Sequence, residues 1–144
     1  MLAFVAVLGL ASVAMVRYDA TIARREAEVQ LLYVGAKYRL AFQSYARHTP
    51  LGQRQFPEKL TDLLSDKRTG VTFHHIRDLY PDPITKANDW RLIDAPGGGI
   101  MGVSSRSDLD AIKVSRYPHP FEYFDQCPTY SAWKFQFPDP IPCK

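Results

Sequence analysis

The first sixteen residues, Met1 to Val16, carry no charged side chain, and a polar, helix-patterned segment follows them without a break. This join predicts one long helix, apolar at its start and wet further on. From Arg17 to His48 the chain is rich in Ala, Leu, Arg, Glu, Gln and Lys, all good helix formers. Ile22, Val29 and Ala36 repeat every seven residues, as do Leu31, Tyr38 and Tyr45, with Val34 and Ala41 beside the second stripe. Such spacing gives an apolar face for packing. A continuous helix over residues 1–48 spans about 70 Å at about 1.5 Å per residue, and Pro50 and Gly52 end it.

The pattern then changes. All eleven prolines follow residue 49, and only two of the eight glycines, Gly9 and Gly35, precede it. Pro57 suits a first helical position, with Leu60, Leu63 and Leu64 lining one face, so a short helix is expected there, stopped by Gly70. Thr72 caps a second short helical pattern through Phe73, Ile76, Leu79 and Tyr80, which Pro81 terminates. Asp82-Pro83 opens a turn. Trp90 to Ile93 and Ile100 to Ser104 flank the reversing loop Asp94-Ala95-Pro96-Gly97-Gly98-Gly99, which predicts a β-hairpin. Tyr130 to Phe137 reads as the best strand, with Trp133, Phe135 and Phe137 alternating against Lys134 and Gln136. Residues 105–129 receive no assignment. An antiparallel sheet of three or four strands needs a cover for its apolar face, and Leu32, Tyr38, Leu40, Phe42 and Tyr45 of the helix can supply it. The expected fold is α+β, a long N-terminal helix packed on a small antiparallel sheet. It divides into an apolar half-helix (1–16), its amphipathic continuation (17–48) and a globular α+β domain (49–144).

The apolar run is short for a transmembrane helix, which needs about 20 residues, and long for a signal-peptide core of about 7–15. No Lys or Arg precedes it, and a small-x-small pattern occurs at Ser12-Val13-Ala14. It reads as a membrane segment whose start lies upstream of Met1. The net charge of +3 comes from interspersed charges, with no basic stripe, so a nucleic-acid partner is not expected. Arg24, Arg25, Glu26 and Glu28 form a mixed-charge collar that reads as a solvated face. Cys127 and Cys143 are too few for a zinc site. Export of everything beyond the apolar run favours a disulfide between them over two free thiols.

Candidate chemistry is sparse. Ser104 and Ser105 follow the glycine-rich hairpin, but no G-x-S-x-G surrounds them and nothing pairs either with a histidine. Gly97-Gly98-Gly99 lacks the ending of a phosphate loop and precedes a strand, so it reads as a turn. His74 and His75 diverge by about 100° on a helix and are poorly placed to share a metal. Asp108 and Asp110 offer a D-x-D spacing without an EF-hand loop, and read as loop acids facing water. No catalytic residue, cofactor, metal site or small-molecule substrate is expected, and the chain reads as non-enzymatic.

Five features in order resemble the type IV pilin-like proteins, and among them the major-pseudopilin-like subunits of type II secretion. They are the apolar helix running into an amphipathic one; Phe56-Pro57-x-x-Leu60-x-x-Leu63-Leu64; Tyr80-x-Asp82-Pro83-x-Thr85; Asp89-Trp90-x-Leu92; and Gly98-Gly99-Ile100-x-Gly102-Val103-x-Ser105 with a late aromatic strand. The resemblance covers nearly the whole chain. It implies a single-pass subunit of the bacterial inner membrane with its C-terminal domain in the periplasm. Such a subunit is extracted from the membrane and stacked with copies of itself and other pseudopilins into a short filament. A cytoplasmic ATPase acts through an inner-membrane assembly platform to supply the force. The apolar helices form the filament core, where Ala3, Ala6, Gly9, Ala11, Ser12 and Ala14 allow close approach. The family's basic leader and the acid near the start of its mature helix have no counterpart here and are expected upstream of Met1. The family's calcium site is not carried over to Asp108 and Asp110. Two other readings fit the same pattern. One is a minor pilin of a type IV pilus or DNA-uptake filament. The other is a secreted small binding or hydrolytic domain released by a cut near Ala14.

Overall fold

The computed structural model describes the backbone of residues 2–143 and, within the long helix, the side chains from Ala20 onward. The helix, α1, runs unbroken over Leu2–Arg47. The packing residues Ala3, Ala6, Gly9, Ala11, Ser12 and Ala14 lie outside the described side chains. Among the described residues no helix is long and apolar enough to cross a membrane.

Three strands form one antiparallel sheet in the order β1 (Arg91–Asp94), β2 (Ile100–Ser104), β3 (Phe135–Gln136). The hairpin places Leu92 opposite Val103 and Ile93 opposite Gly102, and β3 places Phe135 opposite Val103. The chain is therefore α+β, a long helix on a small three-stranded sheet. The helix contributes Leu31, Val34, Tyr38, Ala41, Phe42 and Tyr45 to the core, and the sheet contributes Ile100, Val103 and Phe135. Closest approach falls at Gly35, where a Cβ would lie 2.2 Å from the Phe135 ring. A glycine inside a helix is about 1 kcal/mol less favourable than alanine. Here it lets a buried aromatic ring of the sheet rest against the helix backbone. Aromatic rings fill the rest, Trp133 packing edge-on against Tyr117 and Tyr130 and stacking on Phe124.

Several expected elements take another form. The stretch around Leu60–Leu63 is one turn of 3-10 helix. Residues 72–80 are not helical. Phe73 pairs with Asp66 through two backbone hydrogen bonds of 2.8 Å, and the amides of His75 and Ile76 both donate to the Leu63 carbonyl. Donors spent on a neighbouring segment cannot form an α-helical ladder. The late strand is also shorter than expected. Tyr130–Ala132 is a 3-10 turn, which brings Tyr130 and Trp133 to the same buried side, and only Phe135 and Gln136 join the sheet. Gln136, expected on a wet face, is buried and donates to the Pro138 carbonyl. Leu40, expected to cover the sheet, points into solvent.

Candidate functional site

The outward face of α1 is the first feature that the fold leaves open. Ile22, Val29, Tyr33 and Leu40 are 40%, 64%, 59% and 57% exposed. At about 100° per residue these four fall within about 40° of arc, while Leu31, Tyr38 and Phe42 lie about half a turn away. Of the heptad stripe Ile22, Val29, Ala36, the first two face solvent and Ala36 packs against the edge of the core. The Leu31, Tyr38, Tyr45 stripe is the one buried on the domain.

Three polar latches hold the domain to the inner face. The first is at Glu28, which the collar reading placed in water. Its carboxylate is buried and accepts from the backbone amides of Ile112 (2.9 Å) and Lys113 (3.1 Å) and from the Tyr130 hydroxyl (2.9 Å). One turn earlier, Arg24 donates to the Asp110 carbonyl and lies over the Tyr130 ring. The sequence signal was weak, since nothing in a helix of mixed charge marks one acid as buried. A buried carboxylate that accepts three bonds is stabilising only as long as all three donors stay in place.

The second latch is made by the short motifs. Trp90 Nε1 and the Tyr38 hydroxyl both donate to the Tyr80 carbonyl, at 2.8 and 3.0 Å. Burial raises the Tyr38 hydroxyl to about 12, so it remains a donor. Asp82, fully buried, accepts from the Ile84 amide (2.8 Å) and from the Ser105 hydroxyl (2.6 Å). Thr85 donates to Asp89 at 2.7 Å. Tyr80, Asp82, Thr85, Asp89, Trp90 and Ser105 therefore meet in one knot between helix and sheet. Ser105 serves as a donor to a structural carboxylate, and no histidine lies beside it among its hydrogen-bond partners.

The third latch closes the C-terminal end of α1. Arg68 donates to the Tyr45 carbonyl (3.1 Å), the Thr49 hydroxyl (2.9 Å) and the Arg54 carbonyl (3.0 Å), so a cation sits at the last turn of the helix and, with the Thr49 hydroxyl, caps its Tyr45 carbonyl. Its guanidinium also holds buried Asp66 bidentately at 2.9 and 2.8 Å. These bonds keep the Asp66 carboxyl well below the usual carboxylate range, against the opposing pull of burial. His75 bridges Asp66 (Nε2, 3.1 Å) and the Ser44 hydroxyl (Nδ1, 2.8 Å). Burial pushes His75 below its ordinary value, which favours the neutral ring. The adjacent His74 is exposed and binds the Leu64 carbonyl instead, so the two histidines do not act together.

The C-terminal tail returns to the domain through the Cys127–Cys143 disulfide, with Cα atoms 5.2 Å apart, as expected from the sequence. Asp139 in this tail receives a two-pronged bond from Arg39 of α1 at 2.6 and 2.9 Å. Asp108 and Asp110 are both exposed. Among the described residues no group of three or more His, Cys, Asp or Glu is placed to hold a metal ion. Gly97, Gly98 and Gly99 form the hairpin turn, where Gly98 and Gly99 adopt φ of 85° and 87°.

No family model, curated protein or solved structure matches the chain.

Proposed function

We propose that this chain is a structural subunit of a type II secretion-like pseudopilus. It sits in the inner membrane through its apolar N-terminal run, holds its globular domain in the periplasm, and stacks with copies of itself and with other pseudopilins. The observation that carries this reading is the uncovered stripe of Ile22, Val29, Tyr33 and Leu40, opposite the face that the domain occupies. Leu40 lies about 35 Å along the helix from Arg17 at about 1.5 Å per residue. Lipid covering the apolar run does not reach that far, since the headgroup layer adds only about 5–8 Å on each side of the hydrocarbon. Another protein surface is what can cover the stripe, and a neighbouring helix fits its seven-residue spacing. The knot built from Tyr80, Asp82, Trp90 and Ser105 supports the same reading, because the motifs that carry the resemblance converge on fixing a small sheet to a long helix.

The test is filament assembly in bacteria carrying the full chain with Val29→Glu and Leu40→Glu. Assembly is expected to fail while the melting temperature of the domain stays unchanged, since both positions face away from its core. Ala6→Phe and Gly9→Phe are expected to block assembly in the same way. Filaments formed normally by all four variants would overturn the reading.

A further inference from the structure

The third latch holds an arrangement that its structural role leaves unused. We propose that Ser44 is a nucleophilic serine that accepts an acyl group from activated esters, with His75 as its general base and Asp66 orienting His75. The inference stands apart from the filament reading and rests on the geometry of these three residues alone.

Ser44 lies 2.8 Å through Oγ from His75 Nδ1, and His75 Nε2 lies 3.1 Å from Asp66 Oδ2. With Asp66 ionised, Nε2 carries the ring proton and donates it, which leaves the Nδ1 lone pair facing the Ser44 hydroxyl. This is the order nucleophile, base, orienting acid that activates a serine, with the two ring nitrogens used in the reverse sense from the most familiar enzymes. The acid cannot swing away, because Arg68 grips both of its oxygens. The His75 ring is 2% exposed, so water does not compete for its nitrogens. Ser44 itself is half-buried. His75 also lines a surface cleft of about 200 Å³ with Lys37, Leu40, Ile76, Arg77 and Tyr80.

In the step itself, Ser44 Oγ attacks the ester carbonyl carbon and its proton passes to His75 Nδ1. The Oγ–C bond forms, the bond from carbon to the leaving oxygen breaks, and the leaving alcohol takes the proton back from His75. The product is an O-acyl Ser44 and a free alcohol. The ester class follows from what surrounds the serine. Ser44 is inside α1, where backbone amides are spent on the helix ladder and none is free to receive a developing oxyanion. The substrates are therefore esters whose leaving group is already good, such as aryl esters, and not amides.

The full chain in detergent, incubated with p-nitrophenyl acetate, gives two readouts: phenolate release, and the position of the acetyl group by peptide mass mapping. One acetyl group on Ser44 is expected, absent from Ser44→Ala and formed about 100-fold more slowly in His75→Gln. Ser115→Ala, an exposed serine outside the array, is expected to label as the native chain does. Should His75→Gln fail to fold, the pH profile of the native chain decides. Acetylation of Ser44 through a neutral His75 is half-maximal below pH 6.5, the ordinary value from which burial lowers this group, and levels off above it. Label found only on lysines, or a rate that keeps climbing to about pH 9, would overturn the proposal.

Discussion

On the inner face of α1, Leu31, Tyr38 and Phe42 are fully buried, while half a turn away Ile22, Val29, Tyr33 and Leu40 remain in water. Both stripes carry large apolar residues at seven-residue spacing, so periodicity alone does not separate them. What separates them is the neighbourhood each attracts. The inner stripe sits among Glu28 and Gly35, residues that accept bonds from a loop or make room for a ring. The outer stripe has Arg25, Glu26 and Gln30 at its edge, solvated groups that make no buried bond. A helix face committed to its own domain is thus marked by small residues and buried polar anchors. The face turned away from the domain shows apolar residues framed by charge.

The largest expected effect breaks this comparison most directly. Leu31→Ala opens a cavity against the sheet and should cost about 2–5 kcal/mol of domain stability. Leu40→Ala should move it by no more than about 0.5 kcal/mol. Denaturant unfolding of the full chain in detergent, followed by Trp fluorescence, reads both. Equal losses at the two positions would mean that the outer stripe is covered within a single chain.

Cys127→Ser tests whether the tail contributes to the domain that holds the inner face. The bridge joins residues 16 apart, and closing a loop of about that length is worth about 3 kcal/mol. The melting temperature should fall under oxidising conditions and match the native chain under reducing ones. A melting point unchanged under oxidising conditions would show that Arg39–Asp139 and local packing hold the tail without the bridge.

Much of this was legible in the sequence, and the misses share a cause. The long helix, the hairpin and the disulfide follow from local signals: unbroken helix formers, a glycine-rich reversal between β-patterned runs, and a cysteine pair. The helix expected at residues 72–80 had the right local spacing, yet its amides are taken by Leu63 and Asp66. The strand expected from Tyr130 begins with a turn, because burying both Tyr130 and Trp133 on one side needs a spacing of three rather than two. Glu28 and the Ser44–His75–Asp66 array join residues far apart in the chain, and no local pattern announces such pairings. Tyr80, Asp82, Trp90 and Ser105 were singled out as motif residues, but their convergence on one knot is visible only in three dimensions.

Glu28→Gln asks how much the first latch contributes to the choice of face. The native carboxylate accepts from three donors. An amide keeps one acceptor oxygen and turns a donor towards groups that are themselves donors. A loss of about 1–3 kcal/mol is expected, the range for leaving buried donors unsatisfied. Hydrogen exchange should show faster opening of residues 110–113, with the sheet amides changing only through the global term. Unchanged exchange at Ile112 and Lys113 would mean that the loop is held by Tyr117 and Ala111 instead.

The smallest effect concerns acid. His75 has a folded value below its ordinary 6.5, because burial disfavours the charged ring. The unfolded chain therefore binds this proton more readily than the folded one. The stability tied to neutral His75 is complete above pH 6.5 and is lost as pH falls through the lowered folded value. Asp66 acts in the same direction further down. Its folded value lies below the ordinary 3.8, so its contribution is present above that pH and disappears as acid protonates it. Two acid-sensitive windows are expected, one starting near neutrality and one below pH 3.8, both at the C-terminal end of α1. His75→Gln should flatten the upper window and leave the lower one, and Asp66→Asn should do the reverse at a larger cost, because it leaves Arg68 without its anion. Since both groups hold the C-terminal end of α1, acid should loosen the domain's hold on that helix end. A pH-dependent change in self-association with no change in domain stability would place the sensitive group on the outer face instead.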